Sequence, residues 1–85
     1  MQFQGTVIKA EGVTFVLVVV NAYVLTNAAA ANNYIAVVQP MFPNLPIVLM
    51  AQNEEGVPGY YGRRDIVNFM KYVDLESLHF KIYTL

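Results

Sequence analysis

In the stretch "GYYGRRDIVNF", Gly59 to Phe69, two tyrosines and two arginines fall within five residues. An arginine fork grips phosphate or carboxylate through paired N–H donors, a tyrosine ring stacks on a base or sugar, and the free N–H groups of a helix start attract anions. Tyr60, Tyr61, Arg63 and Arg64 are therefore candidate ligands for a small anion or nucleotide. The same residues have a plainer use, which their spacing favours. One tyrosine packs into a core, the other covers a sheet edge, the arginines pair with Asp65, Asp74 or Glu76, and Gly62 takes a positive φ at the turn.

Asn21 is a second candidate. It follows the apolar run "VTFVLVVV", so at a strand end it can line a pocket at the carboxyl edge of a sheet, where open α/β sheets bind ligands. The competing and stronger expectation is that its side chain bonds local backbone and ends the strand. Asn32 and Asn33 are the other amides set in apolar sequence. Ser77 and His79 lie beside Glu76, the nearest approach to a hydrolytic triad, but two residues of spacing at a strand start makes no relay, and Ser77 reads as a turn cap. Glu54 and Glu55 are adjacent rather than spaced around an ion, and with one histidine and no cysteine no metal site is expected. Gly56, Gly59 and Gly62 flank Pro58 and precede no Lys-Ser or Lys-Thr, so they form no phosphate loop. No catalytic residue is assigned and no cofactor is expected; the chain reads as a non-enzyme.

Eighty-five residues make one domain, spanning 1–85, with an apolar fraction of 56% and a formal charge of −1. That balance disfavours a nucleic-acid partner, which needs a basic stripe. The absence of cysteine removes disulfides and thiolate chemistry, and a reducing cytoplasm is the easier fit. Charge is segregated: from Gly12 through Asn53, 42 residues carry no Asp, Glu, Lys or Arg. A membrane span is not expected, because asparagines interrupt the apolar window and the valine-dense first part suits a strand. No signal peptide is expected either.

The elements that must position these residues follow from periodicity. "QFQGTVIKA" reads as a strand packing through Phe3, Val7 and the Lys9 stem, with Glu11-Gly12 as a tight turn. Val13–Asn21 reads as a strand buried on both faces. Thr26 or Asn27 then caps a helix whose stripe is Ala31, Tyr34, Ile35 and Val38, ended by Pro40 and Pro43. "NLPIVLMAQ" supplies a buried strand, and "VPGYYG" returns antiparallel to it as an edge. Asp65 is expected to cap a second helix with Ile66, Phe69, Met70 and Val73 on one stripe. A last strand packs Phe80, Ile82 and Tyr83 beside solvated Lys81. The fold class is α+β, a small mixed sheet with two helices in the order ββαββαβ. Both strand–helix–strand crossovers are expected to be parallel and right-handed. Whether the helices share one face or cover both stays open.

The segment "LPIVLM", a turn, and "YYGRRDIVNFMKYV" resembles the C-terminal half of thioredoxin-like domains of the protein disulfide isomerase type. The resemblance implies a shared fold element and makes Pro46 the counterpart of that family's cis-proline. It departs in lacking the Cys-x-x-Cys, the intermediate strand–helix unit and a place for the final strand, so it implies no oxidoreductase activity.

The leading expectation is a non-catalytic interaction or assembly module, soluble, forming a homodimer through its uncharged N-terminal half. The alternative is a domain binding a small anionic ligand or nucleotide through the Tyr-Arg cluster, and a weaker third is an enzyme with its site at a subunit junction.

Overall fold

The computed structural model describes residues 1–85 as a five-stranded mixed sheet covered by helices on both faces. The strands are β1 (Gln2–Ala10), β2 (Val13–Val19), β3 (Ile47–Gln52), β4 (Pro58–Tyr61) and β5 (Lys81–Thr84); the helices are α1 (Ala22–Leu25), α2 (Ala28–Val38) and α3 (Arg64–Met70). The spatial order is β4-β3-β2-β1-β5, which makes β2 the central strand. Its valine-rich run is buried on both sides, with Val16, Leu17 and Val18 wholly excluded from solvent. No helix is long and apolar enough to cross a membrane.

The β1–β2 hairpin closes between Ala10 and Val13, with Glu11 at φ 51° and Gly12 at φ 78°. Two consecutive positive φ values match the strand twist of a two-residue turn, and glycine takes the second without steric cost. The chain then turns through α1, a four-residue helix absent from the expected order, and enters α2 at Asn27. Asn27 Oδ1 accepts hydrogen bonds from the N–H groups of Ala29 and Ala30 at 2.9 and 3.2 Å, so of the two expected caps it is Asn27 and not Thr26 that starts this helix. A 3-10 turn at Gln39–Met41 follows, and β3 pairs parallel to β2.

Helices α1 and α2 cover one face, over Phe3, Val16, Val18, Ile47 and Leu49, with Ala31 and Val38 of α2 fully buried against them. Helix α3 covers the other face through Ile66 and Met70, against Ile8, Phe15, Leu17, Val48 and Met50. The arrangement is three layers, and both faces of β2 find their apolar cover within one chain.

The second crossover differs from expectation. β4 pairs antiparallel with β3, and β5 pairs antiparallel with β1 at the opposite edge, so β4 and β5 run antiparallel to each other and do not touch. The reason is that β4 occupies the edge beside β3 as its hairpin partner. The chain must pass beneath the sheet through α3 and a 3-10 turn at Leu75–Ser77 to reach the free edge of β1. Every peptide bond is trans, including the one preceding Pro46.

Two packing expectations are corrected by the same geometry. Val7 is exposed and Ile8 buried, because the α1–α2 layer covers β1 at its Phe3 end while α3 covers the opposite face at its Ile8 end. On β5, Tyr83 stacks on Phe3 with ring centroids 5.4 Å apart and meets Phe42 edge-on at 5.2 Å. Ile82 points to the other face, beyond the reach of α3, and is 66% exposed rather than packed.

Candidate functional site

The Tyr-Arg cluster does not assemble. Tyr60 and Tyr61 are neighbours on a strand, so their side chains leave opposite faces of the sheet. Tyr60 packs beside the α3 core and Tyr61 beside the α2 core, where its hydroxyl donates to Asn32 Oδ1 at 3.0 Å. Partial burial raises the Tyr60 phenol above its usual pKa. Arg63 is occupied by Asp65 in a bidentate pair, Nε to Oδ1 at 2.7 Å and Nη2 to Oδ2 at 2.8 Å. Those bonds hold the Asp65 carboxyl below its ordinary pKa and the Arg63 guanidinium above its own. Arg64 is exposed.

Asp65 consequently is not the cap of α3. The cap position belongs to Arg63, whose side chain makes no capping bond, and Asp65 stands in the first helical turn, where a carboxylate suits the helix dipole. Gly62 has φ 156°, and a Cβ there would come within 3.1 Å of the Ile47 carbonyl and a Val48 methyl, so the turn into α3 requires glycine. The Ser77 hydroxyl donates to the Asp74 carbonyl at 2.7 Å, a turn cap with no bond to His79.

The other end of the molecule is more distinctive. No Asp, Glu, Lys or Arg occurs on α1, α2 or the 3-10 turn after them, and this layer exposes apolar side chains. Tyr23 is 67% exposed and Val37 53%. Two concavities share a wall made of Tyr23, Val24 and Tyr34. On one side of the wall, Val37, Ala30, Asn33 and Met1 complete a shallow groove along α2 of about 240 Å³. On the other side lies a cavity of about 340 Å³ at the end of β2.

Asn21 lines that cavity, at the carboxyl end of β2. Its side chain makes no capping bond to the start of α1, so the expectation that it ties down local backbone fails. Gln2 and Gln4 bring two further amides from β1, and Phe3, Val19, Val20 and Ile82 supply apolar walls. The Tyr34 phenol is raised above its usual pKa, first by partial burial and then by neighbouring Tyr23, so it presents a neutral hydroxyl at physiological pH. Sequence reading had no access to Gln2, Gln4 and Ile82 as lining residues. Gln4 reaches the cavity because β1 pairs with β2 opposite Val19, and Ile82 because β5 pairs with the first half of β1.

Comparison with known proteins gives no match: no family model, no curated protein and no solved structure is similar to this chain.

Proposed function

We propose that the protein is a non-catalytic assembly module that forms a two-fold homodimer through the outer face of α2. The observation that carries this reading is the uncharged groove along α2, where Met1, Tyr23 and Val37 are exposed with no charged side chain among the lining residues. Such a surface presents no charged side chain, and a second copy of itself is a complementary partner because, apart from the Met1 ammonium, which donates to the Leu85 carbonyl, neither side brings a charge to desolvate. Alanines at 28, 29, 30 and 36 keep the helix surface low, which permits close approach of two backbones.

The test is solution mass by sedimentation equilibrium at micromolar concentration. The expected result is a dimer that Val37→Glu converts to a folded 9.5 kDa monomer, since the glutamate would face its own symmetry mate across the axis. A monomeric parent protein, or a dimer indifferent to Val37→Glu, overturns the reading. The Tyr-Arg alternative has less support, since Arg63 is engaged by Asp65 and the two tyrosines lie on opposite faces.

A further inference from the structure

We propose that the cavity at the end of β2 binds a neutral, planar heterocycle with an amide-like edge, the chemistry of a nucleobase, gripped by the carboxamides of Asn21 and Gln4. The cavity is built within one protomer and does not depend on the dimer.

Three features of the lining select the ligand class. The first is charge. None of the ten residues around the cavity is Asp, Glu, Lys, Arg or His, so an anion or cation entering it would lose hydration without gaining a counter-charge from a side chain. The second is the density of amides. Gln2, Gln4 and Asn21 each present a carbonyl acceptor beside an N–H donor, and none of the three is hydrogen-bonded within the protein. A carboxamide pairs both of these atoms at once with a ring that carries an acceptor next to a donor, the geometry by which Asn and Gln read adenine. The third is the character of the walls. Val19, Val20, Val24 and Ile82 are apolar, and the Tyr23 and Tyr34 rings join them in the lining. An aromatic heterocycle buries its faces against such walls, whereas a polyol would leave hydroxyls unpaired there. About 340 Å³ lies at the lower end of small-molecule pockets and suits a ligand of one or two fused rings.

The same features separate this site from the phosphate chemistry suggested by Arg63 and Arg64. Those residues belong to the turn before α3 and do not line the cavity. A phosphate on the ligand therefore gains nothing.

The experiment is an NMR titration of the 15N-labelled protein with adenosine, uridine, adenosine monophosphate and glucose. Adenosine or uridine is expected to shift the side-chain amide signals of Asn21 and Gln4 and the backbone signals of Val19 and Val20. The monophosphate is expected to bind no more tightly than adenosine. The double variant Asn21→Ala with Gln4→Ala, both at exposed positions, is expected to keep its spectrum and lose about tenfold or more in affinity, the cost of one good paired contact. The Val37→Glu variant is expected to bind as the parent does, which separates this site from the dimer reading. Absence of shifts with both nucleosides at millimolar concentration overturns the proposal. So do preferential binding of the monophosphate, glucose shifting the same signals, or unchanged affinity in the double variant.

Discussion

The two helical layers do the same work toward the sheet and opposite work toward solvent. Ala31 and Val38 of α2 are as fully buried as Met70 of α3, and each layer closes one apolar face of the central strand. Outside, α3 and the segments flanking it carry Arg63, Arg64, Asp65, Lys71, Asp74 and Glu76, whereas α1 and α2 carry no charge. A helix cover needs an apolar stripe inward; what it shows outward is free to vary, and charge there keeps a surface solvated and unpaired. The contrast between the layers is what supports the proposed interaction surface, without any motif. It also explains why the residues that looked most chemical in the sequence, the arginines, sit on the side whose exterior is ordinary.

The largest expected effect tests the symmetry of the inner faces. Val18→Asp places a carboxylate in the α2-side core and Leu17→Asp places one in the α3-side core, both at positions wholly excluded from solvent. An unpaired buried charge costs more than a small domain's whole stability, typically about 5–15 kcal/mol, so neither variant should show a cooperative thermal transition. Survival of one variant would mean that its layer is looser than the other.

The next effect breaks or sharpens the outer contrast. Val37→Glu on α2 is expected to halve the solution mass, and Asn68→Glu on the exposed side of α3 is expected to leave it unchanged. Equal consequences at the two positions would remove the distinction between the layers.

A smaller effect compares the two helix starts. Asn27→Ala removes an acceptor that serves two backbone N–H groups and should lower stability by about 1 kcal/mol, read as a shifted urea midpoint. Helix α3 has no equivalent, because Arg63 at its cap position makes no such bond. A loss from Asp65→Ala as large as that from Asn27→Ala would restore Asp65 as a cap.

These outcomes bear on what could be read from the residues alone. The continuous apolarity of Val13–Val20 placed β2 at the sheet centre, and the Ala31, Tyr34, Ile35, Val38 stripe, with Thr26 or Asn27 as its cap, described α2 closely, since these signals are local. What escaped was decided by tertiary cover. Val7 and Ile82 have strand-like neighbours but lie beyond the edges of the helices, and nothing in their spacing says where a helix stops. The five-residue Tyr-Arg cluster looked like one site because it is contiguous, yet strand alternation sends its tyrosines to opposite faces. The path of β5 to the far edge, which brings Ile82 to the Asn21 cavity, depends on β4 having already taken the near one.

The smallest expected effect concerns the one ion pair, Arg63 with Asp65, on the charged side of the molecule. The pair is short and bidentate, but both side chains are more than half exposed, so solvent screens it and exposed pairs of this kind contribute little. Its sign is nevertheless fixed. Hydrogen bonding to Arg63 lowers the folded-state pKa of Asp65, so the folded protein binds the proton less readily than the unfolded chain. The stabilisation is therefore fully present above the unfolded value of about 3.9 and fades as pH falls through the folded value beneath it. In a series of melting temperatures, the small difference between the parent and Asp65→Asn should be constant from neutral pH down to about 4, then shrink on further acidification. It should also shrink in high salt. A difference that instead grows below pH 4 would reverse the sign and show that Asp65 is held protonated in the fold. Asn27→Ala carries no titrating group, so its deficit should be level across the same range, and the two helix starts would then be told apart by pH alone.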